Sequence, residues 1–134
     1  MAEIADFLIF HGKPAKSNDL TEAKPFVNIP YDLPANISPT AGGVVAFTVR
    51  VDSKSIVGGP PPQSIITLSI VSNDTQLDKT YALKTGTLCS LVVFIHTKGQ
   101  LKAGPNSLKF QISNADAGNL VNISNIVVWF QRNI

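Results

Sequence analysis

Hydrophobic and polar residues alternate in several stretches of the chain. The clearest is residues 108–113, where Leu, Phe and Ile alternate with Lys, Gln and Ser, and residues 45–51 and 65–71 follow a similar pattern. Successive side chains of a β-strand point to opposite faces. Each stretch therefore predicts a strand that covers a core with one face and meets water with the other.

Three other stretches, residues 4–10, 91–95 and 126–130, are apolar on both faces. The outer face of a two-layer sandwich normally meets water, so a second apolar face needs a second cover. Another subunit would supply it, and we favour this reading. The alternative is that residues 12–40 fold across the outside of the same chain. We also predict that residues 4–10 form a central strand beside residues 120–130.

Proline and glycine separate these stretches. Five of the nine prolines fall within residues 12–40, where they break helices and cannot donate to a central strand ladder. We therefore predict a long connection there, with at most a short edge strand around residues 26–29. The whole pattern predicts an all-β fold: one antiparallel, jelly-roll-like β-sandwich domain over residues 1–134, with about eight strands and almost no helix.

Composition limits the partners. The 134 residues carry a net charge of +2 with only 15% charged and 44% hydrophobic residues. Lysine and arginine are scattered singly, so we expect no nucleic-acid partner. The apolar runs are too short to cross a bilayer and the amino terminus is acidic, so we expect a soluble chain without membrane insertion or a Sec signal. Its location is unknown; cytoplasmic synthesis with non-classical release or association with a particle would fit.

The sequence offers little for catalysis. His11, His96 and Cys89 are the only histidines and cysteine, and the nine acidic residues show no familiar catalytic or metal-ligand spacing. Cys89 has apolar neighbours and is interpreted as a buried side chain. The two histidines are interpreted as structural residues at strand ends. We expect no catalytic residue, no metal site and no cofactor, and therefore a protein that is not an enzyme.

Polar groups in the predicted loops are the better site candidates. The pairs Tyr31–Asp32 and Asn73–Asp74 stand out, because Asn and Asp suit sugar hydroxyls and a neighbouring Tyr can cover an apolar sugar face. We predict these four residues on surface loops as ligand contacts, with Tyr31 and Asp32 the foremost. Asn and Asp are also common in turns for backbone reasons alone, which is the alternative interpretation.

Residues 101–110 (LKAGPNSLKF) and 123–129 (ISNIVVW) resemble the closing strands of jelly-roll carbohydrate-binding modules and galactose-binding-like domains. A second resemblance is to small trimeric jelly-roll lectins, in which the first and last strands lie side by side. The resemblance covers about a quarter of the chain and rests on turn and core positions, so it implies a fold and no binding residue is carried over.

Two functions follow as hypotheses. The first is a non-catalytic, lectin-like homo-oligomer that binds glycans through surface loops and gains avidity from its copies. The alternative is a self-assembling structural protein, such as a coat, decoration or appendage subunit, without a small ligand. In both, the chain is its own partner. The predicted interface consists of Val92, Phe94, Val127 and Trp129.

Overall fold

The computed structural model describes residues 3–10, 19–38, 42–77, 80–86, 88–95 and 101–133. These residues form strands and turns, with no helix among them. The ten strands are β1 (Glu3–Phe10), β2 (Asp19–Leu20), β3 (Phe26–Leu33), β4 (Gly43–Ser53), β5 (Ile65–Ser72), β6 (Thr75–Gln76), β7 (Tyr81–Lys84), β8 (Leu88–Ile95), β9 (Gly104–Ser113) and β10 (Asn119–Asn133). The prediction of an antiparallel β-sandwich is confirmed.

Sheet A has the strand order β1-β10-β4-β8, with β2 also paired to β10. The long β10 is its central strand: β4 pairs along one side, while β2 and β1 pair along the other. Beyond the end of β4, Ile37 forms a bridge to Arg132 of β10. Partners on both sides explain why β10 is largely buried.

The first strand lies beside the last, with Phe10 opposite Ile126 and Ile4 opposite Arg132. The predicted neighbour is confirmed, but the predicted central position of residues 4–10 is wrong. Within the described ranges, β1 pairs only with β10 and stands at the end of the sheet order. A sequence with apolar residues on both faces indicates that both faces of the strand are apolar, but it does not indicate how many strands pair with it.

A β-bulge interrupts the pairing of β10 with β4. Ser124 pairs with Thr48 and Val127 with Ala46, so two residues of β10 stand opposite one residue of β4. Asn125 takes a positive φ of 51° here, a conformation that Asn tolerates better than most residues. The extra residue exchanges the faces of the strand, so that Val127 and the alternate residues after it point away from the core.

Sheet B has the order β3-β9-β5-β6, with β7 also paired to β5. Its edge strand β3 confirms an edge strand at residues 26–29, but the prediction of at most a short strand is wrong, because β3 runs eight residues to Leu33. Pro30 is accommodated because an edge strand has amide positions that need no ladder partner. Residues 26–33 alternate in burial, with the even-numbered residues exposed on the outer face.

The core lies between the sheets and consists of their inward alternate residues. Phe47 of sheet A meets Phe110 of sheet B edge to face, with ring centroids 5.0 Å apart and an interplanar angle of 69°. Other fully buried side chains are Leu20, Ile29, Val45, Ile66, Leu68, Ile70, Leu108, Ile123 and Ile126. The two outer faces of the sandwich therefore point in opposite directions.

Candidate functional site

Two of the predicted ligand contacts lie in a strand. Tyr31 and Asp32 belong to β3, so their predicted loop position is wrong. Tyr31 points into the core and is only 8% exposed, and burial raises the pKa of its phenol. A ring buried in this way cannot stack on a sugar while β3 stays paired. Asp32 is exposed on the outer face of sheet B and remains a predicted contact.

The other two predicted contacts, Asn73 and Asp74, do form a surface turn. Both have positive φ angles, 47° and 68°, as the tight turn between β5 and β6 requires. The Asn73 side chain is used within the fold: its Oδ1 accepts from the backbone amide of Ser107 at 2.8 Å. Asp74 is exposed, so of this pair it is the residue placed to meet a ligand.

Asn106, which was not predicted as a site residue, links the strand beside Tyr31 to the turn that contains Asn73. It lies opposite Tyr31 in the pairing of β3 with β9 and is 4% exposed. Its Oδ1 accepts from Asn73 Nδ2 at 2.8 Å and from the Lys102 amide at 3.1 Å. Its Nδ2 donates to the carbonyls of Lys102 at 2.7 Å and Gly104 at 2.9 Å. One buried amide thus holds the turn after β5, the start of β9 and the loop before it in a fixed arrangement.

The outer face of sheet B carries an exposed aromatic ring. Phe26 is 44% exposed and lies opposite Gln111, while Asn28 lies opposite Lys109. The Lys109 Nζ atom is 4.5 Å from the centroid of the Phe26 ring, within the range of a cation–π contact. We call Phe26, Asn28, Lys109 and Gln111 the Phe26 platform. All four project from the same face because they sit at matching positions of two paired strands.

The polar groups of the Phe26 platform are uncommitted within the described part of the chain. There, the side-chain amides of Asn28 and Gln111 form no hydrogen bond, and no carboxylate lies within 4.0 Å of the Lys109 ammonium. An apolar ring flanked by two amides and an ammonium can contact the apolar face of a ligand and hydrogen-bond its edges at the same time. Both amides offer donors and acceptors.

The predicted interface residues meet on the outer face of sheet A. Strand pairing places Val92, Ala46 and Val127 in one row and puts Phe94, Val44 and Trp129 in the next. Val92 is 57% and Trp129 43% exposed, whereas Val127 is half-buried. For Phe94 the structure gives the register position alone. We call these two rows the sheet A patch; it is apolar throughout and spans three strands.

Two asparagine side chains at the start of β10 are also bound into the fold. Asn119 is 1% exposed, and its Oδ1 accepts from the backbone amides of Gln63 at 3.0 Å and Asp116 at 2.9 Å. Asn122 Nδ2 donates to Asp19 Oδ1 at 2.5 Å. These contacts tie the loops at Gln63 and Asp116 and the short strand β2 to β10, so the side chains are used within the fold.

The described residues contain no group of three or more His, Cys, Asp or Glu side chains placed to hold a metal ion. Cys89 is half-buried beside a cleft of about 260 Å³ between β7 and β8, and the described residues that line it include Tyr81 and Leu91 but no acid or histidine. His11 and His96 lie outside the described residues. No helix in the described ranges could span a membrane.

No protein-family model matches the chain, and no curated protein sequence matches it. Solved structures do resemble it. Dimeric latent PorU from Porphyromonas gingivalis superimposes with a TM-score of 0.72 at 13% identity over 99% of this chain. The chain spans 13% of the length of PorU.

Several of the similar structures are carbohydrate-binding modules, which confirms the fold-level resemblance seen in the sequence. The module CBM36, solved with calcium and xylotriose, gives a TM-score of 0.52 at 7% identity over 95% of this chain and 98% of its own. The xylan-binding module CBM15 gives 0.53 at 16% identity over 77% of this chain and 69% of its own. At these identities the likeness establishes the fold.

Proposed function

We propose that this protein is a non-catalytic carbohydrate-binding protein that holds a glycan on the outer face of sheet B. The observation that carries the proposal is the Phe26 platform: an exposed ring on two paired strands, beside amides that form no hydrogen bond within the described residues. A sugar ring has an apolar face and a polar edge, which match the aromatic ring and the amides. The fold shared with CBM36 and CBM15, which are named for carbohydrate and xylan binding, supports the same conclusion.

The face is long enough for an oligosaccharide. Phe26 and Asp32 lie six residues apart on β3, which at ~3.3 Å per residue is about 20 Å. Asp32 and Asp74 lie toward the far end and can accept hydrogen bonds from hydroxyl groups. The ligand in this proposal runs from the Phe26 ring toward Asp32, and the buried Tyr31 supports the strand from behind without touching the ligand.

Homo-oligomerisation belongs to the same proposal. The sheet A patch faces away from the Phe26 platform, because the two outer faces of a sandwich point in opposite directions. Two copies joined through their sheet A patches would leave both platforms open. Binding to a polymer with repeated sugars would then gain from avidity, which compensates for a shallow site of low intrinsic affinity.

The test compares the unmodified protein with Phe26→Ala on a glycan array and by affinity electrophoresis in soluble polysaccharides. If the ring buries about 60 Å² of apolar surface against a sugar, its loss costs ~1.5 kcal/mol, roughly tenfold in affinity. Ile56→Ala is the matched control, because Ile56 is 43% exposed and lies in the loop after β4. If Phe26→Ala bound glycans as tightly as the unmodified protein, the Phe26 platform would not be the binding site. If the unmodified protein bound no glycan, the proposed function would be overturned.

A second candidate function is a self-assembling structural subunit, and the sheet A patch is the observation that favours it. In that case association is itself the function, and the outer face of sheet B carries no small ligand. Light scattering alongside the glycan array separates the two candidates. A small oligomer that binds glycans supports the first, whereas a large assembly that binds none supports the second.

A further inference from the structure

Among the described residues, the cation of the Phe26 platform has no acidic partner. Lys109 is half-buried on the middle strand of its sheet, with β3 on one side and β5 on the other. Its ammonium lies 4.5 Å from the Phe26 ring centroid, and within the described residues no carboxylate is within ion-pair distance of it. A surface lysine usually extends into water, whereas this one is held beside the exposed ring.

The acids of this face are distant from Lys109. On the outward positions of β3, β9, β5 and β7, the described residues carry Lys84 and Lys109 and one acid, Asp32. Asp32 lies four residues along β3 from Asn28, the partner of Lys109, a separation of about 13 Å at ~3.3 Å per residue. A second acid, Asp74, is exposed in the turn three residues beyond Val71, the β5 partner of Lys109. On these strands the two lysines therefore lie toward the end that holds the ring, and the two acids lie toward the opposite end.

This distribution distinguishes between classes of glycan. A neutral sugar needs the ring and the amides and gains little from a fixed positive charge. An anionic substituent on a sugar packed against Phe26 would come within reach of the Lys109 ammonium, whose three N–H groups can donate to it while the charge stays over the ring. Gln111 and Asn28 flank that position and can bind the neighbouring hydroxyl groups.

We infer that the ligand is an anionic glycan, with a carboxylate or sulfate group held by Lys109 beside the Phe26 ring. The inference rests on the proposed function and adds the chemical class of the ligand. An exposed ion pair of this kind changes affinity by about two- to fivefold. The preference weakens as salt rises, because mobile ions screen exposed charges.

The experiment measures binding to two matched pairs of polymers by affinity electrophoresis and calorimetry. The first pair is polygalacturonate and its carboxyl-reduced form; the second is dextran sulfate and dextran. The unmodified protein is compared with Lys109→Gln, with Lys109→Arg and with Lys54→Gln. Lys54 is an exposed lysine in the loop after β4 that does not belong to the platform, and it serves as the charge-matched control.

We expect the unmodified protein to bind the charged member of one pair more tightly than the neutral member. Lys109→Gln should lose this preference, whereas Lys109→Arg and Lys54→Gln should keep it. The pair that shows it identifies the group as carboxylate or sulfate. Equal binding within both pairs, with sensitivity to Phe26→Ala retained, would overturn the inference and leave the proposed function standing. A preference that survives Lys109→Gln would also overturn it. No binding to these polymers or to the glycan array would overturn both.

Discussion

Replacing Asn106 by Ala should destabilise the fold more than any other exchange of a polar residue at this end of sheet B. The substitution removes four hydrogen bonds, two accepted by Oδ1 and two donated by Nδ2. At about 1 kcal/mol net for each bond, the loss is ~4 kcal/mol if none is replaced. Water can reach the exposed Lys102 loop and restore part of this, so we expect a loss of about 2–4 kcal/mol.

Urea denaturation followed by tryptophan fluorescence measures this difference, with the slope m checked for constancy. The matched control is Asn28→Ala, since Asn28 is exposed on the neighbouring strand and its amide makes no bond within the described ranges. We expect the control to change stability by no more than about 0.5 kcal/mol. If Asn106→Ala cost less than about 1 kcal/mol, the amide would not be the tie that its geometry indicates.

Two further predictions concern pH and assembly. Burial raises the pKa of Tyr31 above its ordinary value of 10.0, so the phenol loses its proton at a lower pH in the unfolded chain than in the folded one. The free energy of unfolding is therefore unaffected by this group below pH 10. Above pH 10 it falls by up to ~1.4 kcal/mol per pH unit. Urea titrations at several alkaline pH values should show a smaller fall for Tyr31→Phe, and an equal fall would refute this account. For assembly, Val92→Lys and Trp129→Lys should each dissociate a homo-oligomer measured by light scattering, whereas Leu88→Lys, 70% exposed on the same sheet but beside Arg50 in register, should not. An unmodified protein that is monomeric at micromolar concentration would contradict the prediction.

The strands themselves could be predicted, because burial of one face leaves a period of two in the sequence. Residues 108–113 alternate as the structure does, with Leu108, Phe110 and Ile112 buried. The position of a strand within its sheet could not be predicted in the same way. Residues 4–10 are as apolar as the central part of β10, although β1 lies at the edge in the described structure. The bulge at Asn125 was also missed, since one added residue changes the faces without changing the composition.

The prolines near residues 31–32 led to a wrong prediction of where the site lies. Pro30 and Pro34 led to the interpretation of residues 31–32 as a loop, yet an edge strand tolerates Pro30 and continues through it. A signal was present in the sequence: Val, Ile, Tyr and Leu at positions 27, 29, 31 and 33 alternate with Asn, Pro and Asp. The structure follows this alternation and turns Tyr31 inward. Asn106 left no such signal, because its four bonds join segments that only the folded chain brings together.

The pairing of β1 with β10 has a consequence for how the chain reaches its folded state. Nearly every strand of sheet A joins to a partner distant in sequence, and the first described strand joins the last. Folding of such a topology is slow, because the entropy of closing long loops must be lost before the contacts form. While the chain is being synthesised, β1 must wait with its apolar sequence unpaired until β10 emerges, and a strand waiting in this state is open to aggregation. Chaperone dependence and losses during refolding should therefore depend on residues 4–10 more than on any surface that the folded protein presents.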